Sequence, residues 1–198
     1  SSALVMRRLA VQVRPPAPVV ILEMCIAVGG KFMQILNTLR FGALEYSEDD
    51  VLYFPKGVPG FDDHKKWLLL GDDDEGNPIK WLQSLKDGDV ALPVMPPELI
   101  IPKYDPQLCE SDIKDMTASL NDLRFFVVVA VPENAPWDAT ANVRAPIVIN
   151  VAKRLGKQVI GQREDYGIRH YIFDDATREK IKNAFLEAQR SSSEGGAP

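Results

Sequence analysis

The sequence predicts a mainly β protein: a small antiparallel β-barrel or sandwich with one short helix and a C-terminal helix. Three observations carry that prediction. Between residues 38 and 162, short β-branched or aromatic runs are separated by turn residues, which is the spacing of hairpins rather than of a βαβ repeat. Residues 124–131 are nearly continuous Phe and Val, as in a strand covered on both faces or lining a closed barrel. Val143, Ala145, Ile147, Ile149 and Val151 alternate with Arg144, Pro146, Val148 and Asn150, the period of two that a strand imposes.

Residues 1–32 form an N-terminal extension in this reading: an extra strand, a translated leader or a cloning-derived stretch, with Met33 an equally good natural start. Its apolar run from Val19 to Val28 is interrupted by Glu23, too short for a membrane span and a poor secretory signal. Residues 33–173 form the β domain. Gly42 divides the run 38–46, residues 51–54 are β-branched or aromatic, and 67–70 lead into a turn made of Gly71, Asp72, Asp73, Asp74, Glu75, Gly76, Asn77 and Pro78. Beyond it, Ile79, Trp81 and Gln83 point to one side of a strand and Lys80, Leu82 and Ser84 to the other. Asp87, Gly88 and Asp89 turn the chain into 90–95.

Ser111 is placed to cap a short helix through Leu120. The strand at 143–151 contains Pro146, which has no N–H to donate, so it must be an edge there or carry a bulge. Residues 157–162 follow across a turn at Arg154, Leu155 and Gly156. Asp174 or Asp175 caps a helix over 174–190, with Ile181, Ala184, Phe185 and Ala188 on one face. Residues 191–198 are expected to be a disordered tail.

The chain has 198 residues, of which 45% are hydrophobic and 26% charged, enough for one folded domain with short appendages and too apolar for wholesale disorder. The formal net charge is −5, divided as +3 over 1–32, −7 over 33–173 and −1 over the remainder. That acidic body suits a basic partner and excludes sequence-blind nucleic-acid binding. Cys25 and Cys109 are the only cysteines, so no disulfide framework can be drawn and a cytoplasmic location is expected.

Tools for catalysis are scarce. His64 and His170 are the only imidazoles and lie over a hundred residues apart; both read as ordinary surface or turn histidines. Cys109 is followed by Glu110, whose charge disfavours a thiolate. Gly29, Gly30 and Lys31 fail as a phosphate loop, because Phe32 replaces the magnesium-binding hydroxyl and Cys25 the first glycine. The acidic run 72–75 fails as an EF-hand, because Gln83 stands where the bidentate Glu belongs. No metal, cofactor or enzymatic activity is expected.

One ordered series of motifs remains. It comprises Arg40-Phe41-Gly42, then Phe54-Pro55-Lys56-Gly57-Val58-Pro59-Gly60-Phe61, then Trp81-Leu82-Gln83-Ser84. Further along come Ala141-Asn142-Val143-Arg144-Ala145-Pro146-Ile147-Val148-Ile149-Asn150, Gln158-Val159, and Tyr166 with Arg169 and His170. From about Met33 to His170 this series resembles the flagellar assembly factor FliW family. The residues also have local explanations. Pro59 and Gly60 suit a tight turn with Phe54 and Phe61 anchoring its ends, Trp81 suits a core, Gln83 suits a buried backbone group, and Asn142 and Asn150 suit turns or caps at strand ends.

The resemblance implies a partner switch rather than a reaction. FliW-like proteins bind the RNA-binding translational regulator CsrA and relieve its repression of flagellin synthesis, with flagellin as the competing partner. No direct nucleic-acid or membrane contact is implied. Partner-binding candidates are Asp72, Asp73, Asp74 and Glu75 as an acidic CsrA-docking tip, together with Phe54, Phe61, Gln83, Asn142, Tyr166 and Arg169. Two rival expectations stay open. One is a β-barrel that binds a small molecule or runs a carboxylate-based reaction in its mouth; the other is a chaperone for flagellin alone.

Overall fold

The computed structural model describes residues 26–28, 31–71, 77–116 and 122–194. The sequence's short apolar runs become strands. A meander of β1 (Ile26–Val28), β2 (Lys31–Thr38) and β3 (Gly42–Tyr46) is antiparallel throughout. Next come β4 (Val51–Tyr53), β5 (Lys66–Leu70), β6 (Lys80–Ser84), β7 (Ala91–Met95), the short helix α1 (Glu110–Ile113) and β8 (Leu123–Ala130). They are followed by β9 (Thr140–Ala141), β10 (Ile147–Asn150), β11 (Leu155–Gln158), β12 (His170–Tyr171) and the helix α2 (Asp175–Glu194).

Strands β4 to β8 are joined in sequence order as antiparallel neighbours. What decides barrel over sandwich is β10, which pairs with β8 on one side and β11 on the other. Strand β11 then meets β4 in a parallel contact at a single pair, Leu155 with Tyr53, and seven strands close on themselves.

The alternation of side chains fills the lumen. Leu52, Phe54, Trp67, Leu82, Val94, Phe126, Ile147 and Ile149 meet inside, and Phe54 and Trp67 are wholly buried. Each such side chain contributes about 1.5–3 kcal/mol on burial. Trp67 could not be buried without a partner for its N–H, and Nε1 donates to the His64 carbonyl at 2.8 Å.

The Phe and Val run of β8 is covered on both faces, as its sequence requires. Phe126 and Val128 face the lumen; Val127 and Val129 face an outer cluster with Met95, Ala141, Val143 and Tyr166, and Leu123 packs with Ile113, Met116, Val148 and Val159. Among the described residues the lumen is filled by apolar side chains, a filling that weighs against the ligand-binding expectation.

Pro146 lies just outside the strand, which begins after it, rather than within an edge or bulged strand as expected. Only Ile147–Asn150 is strand, rather than 143–151. Between the pairs Ala141–Val129 and Ile147–Phe126, residues 142–146 stand opposite only Val127 and Val128 of β8. The five-residue excursion is fastened locally: Asn142 Oδ1 accepts from the Ala145 N–H at 3.1 Å, and the Arg144 carbonyl accepts from Gly161 N at 2.7 Å. Asn150 also acts as a turn residue, its Oδ1 accepting from Lys153 N at 2.8 Å.

Both helices differ in length from expectation. Helix α1 is a single turn beginning after Cys109, rather than a helix capped by Ser111 and reaching Leu120; residues 117–121 lie outside the described residues. Helix α2 is capped as predicted, Asp174 Oδ1 accepting from Thr177 N at 2.7 Å. It continues through Glu194, four residues past the expected end and into the stretch expected to be a disordered tail. Of its predicted apolar face, Ile181 is buried and Phe185 meets Trp137 edge-on at 5.5 Å, while Ala184 and Ala188 are exposed. The expected boundary at Met33 falls inside β2, whose partner β1 belongs to the predicted extension.

Candidate protein-docking site

The motif Phe54–Phe61 folds as two consecutive turns on the rim of the barrel. Gly57 N donates to the Phe54 carbonyl at 2.9 Å and Phe61 N to the Val58 carbonyl at 2.7 Å. Pro59 presets the second turn and Gly60 completes it at φ +86°. Gly57, at φ +74°, lies so close to the following backbone that a Cβ would sit 2.5 Å from the Phe61 carbonyl oxygen. The loop is therefore locked, with Phe54 in the lumen and Phe61 half-buried at the mouth.

Facing this loop is the excursion 142–146. Together they bound an open groove of about 850 Å³ at one end of the barrel. Val58, Phe61, Leu92 and Val128 make an apolar floor continuous with the lumen. Asn142, Arg144, Ala145 and Gln158 form one side, where Gln158 Nε2 donates to the Ala145 carbonyl at 2.9 Å and braces the excursion. Ile160, Ile168 and Arg169 complete the wall, and the two isoleucines are 69% and 66% exposed, unusually bare for large apolar side chains.

The structure sorts the candidates taken from the sequence. Phe61, Asn142 and Arg169 are brought together in the groove. Phe54 is wholly buried and fills the lumen. Gln83 is also wholly buried, its Nε2 facing the carbonyls of Ser84, Asp87, Gly88 and Val90 at 3.1–3.3 Å, so it pins the β6–β7 hairpin. Tyr166 is buried, stacked on Tyr104 with centroids 5.2 Å apart, and its hydroxyl accepts from Asp105 N. Asp72, Asp73, Asp74 and Glu75 lie outside the described residues. Arg144 and Gln158 belong to quoted motifs but were not singled out, and Leu92, Ile160 and Ile168 carry no local signal at all.

Titratable groups near the groove serve structure. Burial holds the Tyr104 phenol well above its ordinary pKa, with Tyr166, Glu98 and Asp105 adding to the effect, and its O–H donates to the Val143 carbonyl at 2.7 Å. The hydrogen bond from Arg163 keeps the exposed Asp165 carboxyl below the usual range.

One pair has the look of a nucleophile and base: Ser84 Oγ lies 2.7 Å from His64 Nδ1. Yet Ser84 is wholly buried and its oxygen already accepts from Lys86 N and Asp87 N at 3.1 and 3.2 Å. With its lone pairs occupied, that oxygen is tied to the hairpin turn and unavailable to attack a substrate. Among the described residues no group of three His, Cys, Asp or Glu side chains is arranged to hold a metal, and no helix is long and apolar enough to cross a membrane.

The same residues that build the groove align with known proteins. A family model described as FliW protein matches residues 35–172. The chain belongs to the FliW family. It is 39% identical over 155 residues to the flagellar assembly factor FliW of Caldanaerobacter subterraneus subsp. tengcongensis, a match covering 77% of this chain and 99% of that protein. It is 38% identical to the Thermotoga maritima flagellar assembly factor FliW, covering 71% and 95%. A crystal structure of the flagellar assembly factor FliW superposes with a TM-score of 0.65 at 32% identity, over 71% of this chain and 98% of that one. The FliW-matched segment contains the barrel and groove and ends before α2.

Proposed function

We propose that this FliW-family chain works by binding proteins rather than by catalysis: in the cytoplasm it engages the translational regulator CsrA and relieves repression of flagellin synthesis, and flagellin competes for it. The observation that carries this reading is the groove, because motif residues from widely separated parts of the chain converge there on an open apolar surface and not on a reactive cluster. An open, partly polar rim around a rigid floor suits a macromolecular partner. The acidic body, −7 over residues 33–173, supports encounter with a basic RNA-binding regulator through long-range attraction that salt weakens.

Calorimetric titration of the protein into CsrA from the same organism, with flagellin added as competitor, tests the reading. Tight binding of CsrA that flagellin displaces is the expected result. Binding of flagellin alone would replace the switch by a dedicated chaperone. No heat with either partner, from a folded sample, would overturn the proposal. Lowered affinity of CsrA for RNA in the bound state must accompany the switch, and RNA must weaken the protein complex by the same factor.

A further inference from the structure

The groove has a charge pattern opposite to that of the chain. Arg144 and Arg169 both line it, and none of its lining residues is acidic. By contrast, Arg154 is paired with Asp49, Arg163 with Asp165, and Arg178 with Asp138 and Asp175, while Arg40 lies over the Trp81 ring. Among the described residues, neither Arg144 nor Arg169 has an ion pair or side-chain hydrogen bond. Two uncommitted guanidinium groups thus border an apolar floor in a protein of net charge −5.

The chemistry of a matching ligand follows. Guanidinium groups present planar paired donors that fit carboxylates, and Ile160, Ile168 and Phe61 gain from being covered by apolar side chains. A basic partner would meet like charge here and be disfavoured. The groove is open and the lumen beneath it is packed among the described residues, a shape that suits a segment laid along the surface better than an enclosed alkyl chain.

We propose that this groove seats a protein segment that combines an apolar stripe with flanking carboxylate side chains, and that a basic partner docks on a different surface. The inference rests on the reading of the chain as a protein-binding factor. It assigns the two partner chemistries to separate places, the acid-bearing apolar segment to the arginine-bordered groove and the basic regulator to the acidic surface outside it, so that displacement of one by the other is a coupling between two sites rather than a contest for one.

Three synthetic amphipathic peptides test this, identical except that the positions flanking a Leu and Ile stripe are Glu, Gln or Lys. Their binding to the full chain is followed by fluorescence anisotropy at low and physiological salt. The Glu peptide should bind at least about tenfold more tightly than the Lys peptide, with an advantage that salt reduces. The double variant Arg144→Glu, Arg169→Glu should reverse the preference, a swap that simple unfolding cannot produce. Because both side chains lie on the rim, circular dichroism should be unchanged, and Ile168→Ser should weaken all three peptides without altering their order.

Equal binding of the three peptides, or a Glu preference that survives the double reversal, would overturn the assignment. So would saturable binding of dodecanoate by the chain with no peptide bound. Absence of peptide binding in a protein that still binds CsrA and flagellin would sink this inference alone, whereas loss of both whole partners would sink the functional reading beneath it.

Discussion

The barrel has two ends, and they are finished differently. At one, Phe61, Leu92 and Val128 come partly to the surface over the buried Val58, beside Arg144 and Arg169. At the other, Leu52, Leu69 and Ile149 line a smaller hollow of about 500 Å³ with Asp49, Asp50 and Arg154. Both hollows open onto the same apolar lumen, but only the second is neutralised from within. Arg154 donates to Asp49 Oδ1 at 3.1 Å and to the Glu48 carbonyl at 2.8 Å, and Asp50 Oδ2 accepts from the amide and hydroxyl of Ser47 at 2.8 Å. A lumen must be sealed at both mouths, so apolar side chains at a mouth are weak evidence of function. The informative difference is whether the charged rim is already satisfied by the protein itself.

Phe54→Ala breaks the comparison at its root, because Phe54 fills the lumen shared by both ends. It should cost about 3–5 kcal/mol in urea unfolding, the range for emptying a buried aromatic site, and loosen both rims together. Gly57→Ala acts on one end only. A Cβ there is forced into the Phe61 carbonyl at positive φ, which should cost about 1–3 kcal/mol and disorder the groove side, while amide exchange at Asp50, on the turn with Ser47, stays native.

Smaller effects sharpen the contrast. Arg144→Glu with Arg169→Glu, at a half-buried and an exposed rim position that make no ion pair among the described residues, should leave unfolding free energy within about 1 kcal/mol of wild type, yet change partner affinity by about tenfold. Arg154→Gln should do the converse, lowering stability by under about 1 kcal/mol with partner affinity intact, since its exposed ion pair is worth little more.

The least of these effects is a pH response away from both ends. Backbone and side-chain hydrogen bonds from Thr177 hold the exposed Asp174 carboxyl below its ordinary pKa. Its stabilisation of α2 is therefore complete above the ordinary carboxylate pKa of about 3.9 and disappears as pH falls through the lower folded value. Exchange of the Thr177 amide should accelerate over that acidic window relative to the base of the barrel, and an Asp174→Asn variant should show no such window.

Much of the fold was legible because local chemistry and tertiary structure agree. The Phe and Val run of β8, the Pro59-Gly60 turn and the Asp174 cap all follow from local side-chain chemistry, whereas the strand expected over 143–151 begins only after Pro146. Closure was not legible: β8 meets β10 and β11 meets β4 across long sequence separations, and alternating patterns fit a sandwich equally well. The single turn of α1 and the length of α2 were misread because capping signals mark helix starts better than their ends.

The site was legible only in part, for a different reason. Motif membership picked out Phe61, Asn142 and Arg169, which line the groove, together with Phe54, Gln83 and Tyr166, which are buried, since a residue that packs the scaffold leaves the same imprint as one exposed on its rim. Burial separates the two groups, and burial is a property of the assembled barrel. Leu92, Ile160 and Ile168 reach the groove from three separate stretches, so nothing local could have marked them.

The lone pair between β11 and β4 has a kinetic meaning. Leu155 and Tyr53 are about a hundred residues apart in the chain, whereas β4 to β8 pair as successive antiparallel neighbours, so the shutting of the barrel is its most non-local pairing. The seam has little ladder to hold it; Tyr53 N on the Arg154 carbonyl at 2.8 Å and the Phe54 ring against Gly156, where a Cβ would lie 2.1 Å from Cζ, are its fastenings. It should therefore form late and open early, an order that amide exchange at Tyr53 compared with the β5–β6 pairing would reveal.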